Sequence, residues 1–409
     1  MLLISKLYIK IIKNLTISKI KYIFLIFLLS PFLVIIVIIK PILFIRFGYF
    51  NIERIGIIAQ AEHYLIHDKY KKKKVKTFDI WVFDNDIYNK QLFIILKRKF
   101  LMIRELSSFY KVLSLMSKYI NIFSKHVIAN NVCMAPRIDR SSRQLNLTKS
   151  EISKGESMLK DFGIPTAAKI VCFTNRDNLY LKKKFPSSNF SYHNYRDSNV
   201  NNYIPAIKLL IKKNFYVVRM GQIAKKKLNI KSNKFIDYPF HPSKNDFMDI
   251  FFAYKCYFWI CSNNGLDDVA VTFRKPLLDL NMAPISALKV TSKKTILCSK
   301  IHENSKNKKL SLNEILESGV VKSVRSGDFK KKKIKLKELK EYQIKDIVLE
   351  MVKLMKDSWK IKDKNDLKLQ KKFKKIFLSK TDKFDPKFRY KFNALYSLSF
   401  LRKNSWFLK

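Results

Sequence analysis

The feature that most constrains this fold is a regular alternation of short apolar runs with helical stretches in the middle of the chain. Strands are predicted at residues 170–173, 216–219, 235–236, 257–260 and 277–280. Helices are predicted between them, at 200–213, 245–253 and 266–273. Because strands that alternate with helices pair side by side in the same direction, this pattern predicts an α/β fold with a parallel sheet.

Residues 50–147 show the same order in a shorter form. The run RIGIIA at 54–59 is predicted to be a short buried strand, followed by a helix at 60–69. A second strand is predicted at 78–83 and a long helix at 92–118. The chain is therefore predicted to contain two Rossmann-like domains. Ligands of open α/β sheets bind at the carboxyl ends of the strands, so two such domains facing each other leave a cleft for binding.

A helix marks the boundary between the two domains. Thr148 and Glu151 have the spacing of a capping box, and the sequence DFGIP at 161–165 ends the helix. A lysine run at 330–333 is predicted to be a solvated loop. The predicted units are a membrane anchor at 1–46, made of an amphipathic helix and a hydrophobic segment, a first Rossmann-like domain at 47–160, a second at 161–335, and basic helices at 336–409.

The amino-terminal segment is predicted to attach the chain to a membrane. Residues 23–39 carry no charge and, as a helix, would span about 25 Å, slightly less than the ~30 Å of a hydrocarbon core. Pro31 could kink this helix or break it into a re-entrant hairpin. Lysines lie on both sides of the segment, so its orientation stays open. We expect attachment to the cytoplasmic membrane, with the two domains in the cytoplasm.

The chain is very basic, with a formal net charge of +50. An anionic membrane is one partner that such a charge would attract. A bias of the genome toward AT-rich codons, which encode Lys, Ile, Asn and Phe, is the other explanation. No nucleic-acid partner is expected, because no recognition motif accompanies the charge.

The cysteines and histidines do not form a pattern typical of metal binding. There are five cysteines, an odd number without C-x-x-C spacing, which argues against disulfides and zinc. Cys172, Cys256 and Cys261 lie in or beside apolar runs and are predicted to pack in the core. His63 and His67 are four residues apart, but no third ligand is evident. We expect no metal site and a reducing compartment.

Polar clusters follow the predicted strands of the second domain. They supply the candidate ligand-binding residues Asn175, Arg176, Asp177, Tyr195, Arg196, Arg219, Gly221, Ser262, Asn263, Asn264 and Gly265. Backbone N–H groups at 262–265 and the side chains of Arg176, Arg196 and Arg219 are of the kind that binds a diphosphate. The alternative for each cluster is an ordinary surface ion pair or turn.

Several segments resemble a family of bacterial glycosyltransferases that is found among surface-polysaccharide genes and carries a YRD motif. The similar segments are RIG at 54–56, NKQL at 89–92, CFTNRDNLYL at 172–181, YRDSNVNNYIPAI at 195–207, VVRMG at 217–221, SNNGL at 262–266, the N-x-x-P at 281–284, LSLNEILESG at 310–319 and LEMVKLMKDSW at 349–359. The similarity extends over about 50–359. It implies a GT-B-like fold, in which the second domain binds a nucleotide-sugar and the first binds a glycan or lipid-linked acceptor.

This resemblance implies a glycosyltransferase that needs no metal and no cofactor beyond the nucleotide-sugar itself. An acidic residue would deprotonate the acceptor hydroxyl. Glu62 is the chosen base, because it follows the first predicted strand by a few residues, and Asp197 is the second catalytic candidate. The alternative for Glu62 is a carboxylate that stabilises the start of a helix.

Two other functions remain open from the sequence. Asp84 and Asp86 form a D-x-D after an apolar strand, the pair with which metal-dependent GT-A glycosyltransferases hold a cation and a diphosphate. The other is a non-catalytic scaffold that binds carbohydrate or membrane and retains the fold.

Overall fold

The computed structural model contains two parallel sheets of unequal size, both covered by helices. It describes residues 17–69, 75–84, 86–129, 141–184, 186–262, 264–287, 292–381 and 392–409.

The first sheet is small and parallel. Its strands, in the order β1-β2-β3, are β1 (Leu43–Tyr49), β2 (Lys76–Val82) and β3 (Leu101–Met102). We call the described residues up to 158 the first part of the chain and those after them the second part. The helices of the first part are α1 (Ile17–Ile38), α2 (Ile57–Lys69), α3 (Lys90–Lys97), α4 (Ser107–Met116), α5 (Asn121–Ser124) and α6 (Lys149–Met158). Arg46 joins β1 to β2 by donating from Nε to Asp79 Oδ1 at 2.7 Å.

The first strand was predicted in the wrong place. Residues 54–59 are a turn and the start of α2, whereas β1 lies in the apolar run assigned to the anchor. The predicted boundary at residue 46 therefore falls inside β1. Hydropathy alone does not distinguish a buried parallel strand from a membrane segment, which explains the error. The long helix predicted at 92–118 is also wrong, because β3 interrupts it.

Helix α1 continues through Pro31, which excludes the re-entrant hairpin, one of the two alternatives at this proline. Leu33 and Ile36 of this helix are buried in a cluster with residues of β1, β2 and α4. Much of the helix surface is nevertheless apolar and exposed, at Phe24, Phe27, Leu28, Phe32, Val34, Ile35 and Ile38. In the part of the chain that the structure describes, no helix has both the length and the apolar character needed to cross a membrane.

The second sheet is larger and entirely parallel. Its strands are β4 (Ile170–Phe173), β5 (Tyr216–Arg219), β6 (Phe235–Asp237), β7 (Phe258–Cys261), β8 (Leu277–Met282), β9 (Thr295–Ser299) and β12 (Leu395–Tyr396). All five strands predicted for the second domain are confirmed to within two residues. The order β6-β5-β4-β7-β8-β9, with β12 beyond β9, is typical of a Rossmann domain. The strand order reverses between β4 and β7.

Helices cover both faces of this sheet. They are α7 (Leu179–Lys184), α8 (Ile204–Lys212), α9 (Asp246–Lys255), α10 (Asp267–Thr272), α11 (Leu312–Glu317), α12 (Ser326–Lys331), α13 (Glu341–Lys356), α14 (Lys364–Thr381) and α15 (Leu398–Lys403). A separate antiparallel pair consists of β10 (Ile301–Glu303) and β11 (Lys335–Lys337). Short 3₁₀ helices include Leu159–Phe162, Ser191–Arg196 and Val200–Tyr203.

The capping box at Thr148 and Glu151 is confirmed at the start of α6. Gly163, with φ of 65°, ends the 3₁₀ turn that follows, as the predicted stop at 161–165 requires. The lysine run at 330–333 is not simply a loop, since α12 includes its first two residues. The cysteines predicted to pack in the core are buried.

The carboxyl-terminal helices were predicted as a separate unit, but β12 returns the chain to the edge of the second sheet. Tyr396 stacks on Phe373 of α14, with ring centroids 4.4 Å apart, and both rings are fully buried. Burial of two such rings stabilises this packing by several kcal/mol, at roughly 1.5–3 kcal/mol per side chain. The segment therefore belongs to the core of the second sheet.

Candidate functional site

The topology places a crevice between the loops that follow β4 and β7, where the strand order reverses. The two loops are joined by buried hydrogen bonds. Thr174 Oγ1 donates to Asp267 Oδ1 at 2.9 Å, and the Arg176 N–H donates to Ser262 Oγ at 2.9 Å. Since Ser262 is fully buried, its role is to fix the distance between the loops.

The loop at 262–265, whose backbone N–H groups were predicted to bind a diphosphate, is arranged differently from this prediction. Asn263 lies outside the described residues. The Asn264 N–H donates to Asp267 Oδ2 at 2.9 Å, so this group is already engaged within the loop. Gly265 packs against the first part of the chain, because a Cβ placed on it would lie 3.6 Å from the Gly56 nitrogen. This loop therefore connects the two parts of the chain.

Arg176 organises the YRD segment from inside the crevice. Its Nη1 donates to Asp197 Oδ1 at 2.7 Å and to the His193 carbonyl at 2.8 Å, and only 9% of its side chain is exposed. Burial raises the pKa of Asp197, despite the neighbouring charges of Arg176, Lys225 and Lys300. Lys300 Nζ also donates to the Asp197 carbonyl, at 2.5 Å. Asp197 thus holds Arg176 in place, and its predicted catalytic role stays a hypothesis.

The charges of four arginines act on His193, and we call Arg54, Arg176, Arg196 and Arg325 the arginine cluster. Arg325 lies over the ring of the adjacent Tyr192, with its Cζ 5.7 Å from the ring centroid. Burial and the charges of these four side chains lower the pKa of His193 to about 4, so its imidazole is neutral at pH 7. Arg54 comes from the loop after β1, and the other three come from the second part. Within the described residues, no carboxylate lies at ion-pair distance from Arg54 or Arg325. The crevice therefore contains guanidinium groups that can attract an anion.

The remaining candidates after β4 and in the YRD segment shape the crevice wall. Asn175 Nδ2 donates to the Ser198 carbonyl at 3.3 Å. Asp177 accepts from the N–H groups of Leu179 and Lys225, at 2.9 and 3.2 Å. The Tyr195 ring packs against Phe329, with centroids 5.4 Å apart.

Arg219 and Gly221 lie where β5 ends. Gly221 has φ of 138°, which a residue with a side chain rarely adopts. Arg219 is 2% exposed, and its Nη1 donates to the Lys226 carbonyl at 2.6 Å and approaches Asp237 Oδ1 at 3.3 Å. This internal pairing disagrees with the predicted role of Arg219 as a diphosphate ligand. Arg219 instead fixes the segment after β5, and sequence reasoning overlooked Arg54 and Arg325.

Glu62 is fully buried, in disagreement with its predicted role as the base. Its carboxylate accepts from the Gln144 and Leu145 N–H groups at 3.0 and 2.9 Å, and from Arg274 Nη2 at 2.6 Å. The side chain is fully buried. It lies in the second turn of α2 and joins this helix to 141–145 and to α10.

Glu53 was missed by the sequence reasoning and lies where Glu62 was expected to be. It is in the loop that follows β1, and its side chain is half-buried. Burial and the charge of Glu53 raise the pKa of Tyr180, which lies on α7 in the second part. Lys184 Nζ donates to the Glu53 carbonyl at 3.2 Å, across the two parts. The distance of Glu53 from the first strand could have indicated this residue, but that strand was predicted in the wrong place.

The D-x-D residues after β2 are not arranged as a pair of metal ligands. Asp84 accepts from Lys111 Nζ at 2.9 Å, whereas Asp86 is exposed. Burial tends to raise the pKa of Asp84, but its bond with Lys111 lowers the value overall. Among the residues that the structure describes, no group of three or more His, Cys, Asp or Glu could hold a metal ion.

Comparisons with known proteins give only weak structural likenesses. The E. coli ADP-heptose LPS heptosyltransferase II is 14% identical, covering 59% of this chain and 86% of that chain, with a TM-score of 0.36. A glycosyl transferase family 9 protein from Veillonella parvula is 8% identical, covering 75% of this chain and 96% of that chain, with a TM-score of 0.43. At these values neither likeness bears on the activity of this chain.

No protein-family model matches the sequence. No curated protein matches it either.

Proposed function

We propose that this chain is a glycosyltransferase that binds a nucleotide-sugar in the crevice after β4 and β7. The observation that carries the proposal is the arginine cluster, which brings positive charge from both parts of the chain to the point where the strand order reverses. A diphosphate is the group that such guanidinium forks recognise, and Rossmann domains bind nucleotides at this point.

The reaction would transfer the sugar to a hydroxyl group. The acceptor oxygen forms a bond to the anomeric carbon while the bond from that carbon to the diphosphate oxygen breaks. The leaving nucleoside diphosphate gains negative charge, which Arg54, Arg196 and Arg325 are placed to stabilise. In agreement with the family resemblance, the acceptor would be a growing glycan or a lipid-linked sugar of a surface polysaccharide.

We assign the proton of the acceptor hydroxyl to Glu53. This carboxylate lies on the first part, at the carboxyl end of β1, and its charge acts on Tyr180 across the crevice. A base must face the donor from the acceptor side, and a fully buried Glu62 has no access to such a substrate. Glu53 therefore replaces Glu62 as the candidate base.

Replacing Arg196 or Arg325 by glutamine should weaken binding of the nucleotide-sugar. Each lost charge-assisted contact is worth roughly 1.5–3 kcal/mol, or about 10–100-fold in the dissociation constant. Isothermal calorimetry with the donor, found by screening nucleotide-sugars, measures the effect. Arg98→Gln is the matched control, since Arg98 pairs with Glu151 away from the crevice. Donor affinity equal to the parent in both crevice variants would remove the arginine cluster from the site.

We further propose that the transfer needs no divalent metal, because arginines can neutralise the diphosphate. Initial rates measured with excess EDTA should equal those without it. A complete loss of activity that manganese restores would favour Asp84 and Asp86 as ligands.

We also propose that α1 attaches the enzyme to the cytoplasmic membrane, with both sheets in the cytoplasm. The exposed apolar surface of α1 suits a helix that lies in the lipid interface. Phe27→Ser/Phe32→Ser should weaken vesicle binding by at least about 100-fold, since each buried phenylalanine contributes roughly 1.5–3 kcal/mol. Flotation with anionic vesicles at about 0.5 M salt measures this and screens the basic surface.

The matched control for the membrane experiment is Tyr119→Ser, because Tyr119 is as exposed as Phe27, at 81%. This control should float like the parent. Equal flotation of the parent and the double α1 variant would contradict attachment through α1.

A further inference from the structure

A second cationic pocket lies at the opposite edge of the second sheet from the crevice. It has a volume of about 550 Å³ and opens where β4, β7 and β8 begin. Among the described residues, its lining contains five that are cationic and no carboxylate; the five are Arg143, Lys169, Lys255, Arg274 and Lys275. The strands between this pocket and the crevice are about 13 Å long, so one small ligand cannot occupy both.

Within the described parts of the chain, three of these cations have no carboxylate partner. Lys255 pairs with Glu156 and Arg274 with Glu62, each at 2.6 Å. No carboxylate of the described chain lies within ion-pair distance of Arg143, Lys169 or Lys275. Like charges held together without counter-charge repel one another, and an anion bound among them would relieve that repulsion.

Aromatic rings hold the unpaired cations at the pocket. Arg143 and Lys275 both lie over the Tyr254 ring, at 5.6 and 5.7 Å from its centroid. Lys169 lies over the Tyr257 ring at 5.4 Å. Burial, together with the charges of Arg143 and Lys255, lowers the pKa of Lys275. A bound anion would reverse this effect and raise the pKa.

The backbone at Arg274 is also unusual. Arg274 has φ of 58°, directly after the last turn of α10, at a position where glycine is usual. Its Nη1 donates to the Thr272 carbonyl at 2.6 Å, while its Nε is buried without a hydrogen-bond partner. The left-handed backbone at Arg274 places this arginine in the lining of the pocket, between Phe273 and Lys275.

We propose that this pocket binds a phosphate-bearing anion, either a phosphate ester in solution or the headgroup of an anionic lipid. Lysine and arginine together favour phosphate, and the volume exceeds the need of a single inorganic ion. The site is independent of the donor crevice and of the proposed transfer.

The test measures acetylation rates of individual lysines in the full chain by mass spectrometry, at constant ionic strength. Sodium pyrophosphate should slow acetylation of Lys169 and Lys275 by about threefold or more once the site is mostly occupied. The exposed Lys371 and Lys372 of α14 should react as before. Because the readout is residue by residue, pyrophosphate bound in the arginine cluster does not affect the result.

A second arm replaces pyrophosphate by vesicles. Protection by phosphatidylglycerol vesicles alone, and not by phosphatidylcholine or pyrophosphate, identifies a lipid headgroup as the source. Arg143→Gln should reduce the protection of Lys169 and Lys275, whereas Lys371→Gln, which removes the same charge elsewhere, should not. Unchanged rates at Lys169 and Lys275 with every probe would overturn the proposal. Equal slowing at Lys371 and Lys372 would also overturn it, because that indicates general screening of a basic protein.

Discussion

Replacing Glu53 by glutamine should lower turnover by about 10²–10⁴-fold, the usual contribution of a general base. The amide keeps the size of the side chain but cannot accept the proton of the acceptor hydroxyl. Donor affinity should change by less than about twofold, because Glu53 lies on the acceptor side of the crevice. Steady-state rates at saturating donor, together with calorimetry of donor binding, separate the two effects.

Asp197→Asn is the informative comparison for Glu53. Asp197 accepts from Arg176, so its loss should weaken donor binding more than it lowers turnover at saturating donor. A Glu53→Gln enzyme with nearly parental turnover, alongside an inactive Asp197→Asn or Asp86→Asn enzyme, would assign the base to another residue.

Replacing Glu62 by alanine should destabilise the fold by about 2–4 kcal/mol, because it leaves the Arg274 guanidinium and two backbone N–H groups without their acceptor. This loss of stability is below the upper end of the range that is usual for breaking a buried ion pair, because 19% of the Arg274 side chain is exposed. The midpoint of urea unfolding measures the change. Donor affinity measured well below that midpoint should stay near the parental value.

Glu156→Gln provides the control for stability, as its ion pair with Lys255 is partly exposed and should be worth at most about 1 kcal/mol. If Glu62→Ala unfolds at the parental midpoint but turns over at least about 100-fold more slowly, Glu62 has the catalytic role first predicted from the sequence.

The second sheet could be predicted from sequence because its strands are short, apolar and bounded by polar loops. Periodicity locates such strands well, and the polar residues after β4 do line the crevice. The strand order, and with it the point where the order reverses, could not be predicted, since it depends on pairing between distant segments. The β12 strand at the far edge illustrates this, because two residues carry no recognisable pattern.

The first sheet was harder because β1 lies in one continuous apolar run with α1. Misplacing that strand by about ten residues moved the candidate base from Glu53 to Glu62. The roles of the arginines were mispredicted for a different reason. Their sequence neighbours do not show that Arg219 is paired internally, or that Arg54 and Arg325 reach the crevice from distant segments.

Hydrogen exchange in the presence of nucleoside diphosphates tests the central claim most directly. The nucleotides UDP, GDP, ADP, CDP and dTDP would be added at about 5 mM, above the usual range of KM values. We expect at least one of them to slow amide exchange in the loops at 174–178, 193–199 and 264–268. Unchanged exchange in all three loops with every nucleotide, or protection confined to another surface, would contradict the assignment of the crevice as a nucleotide-sugar site.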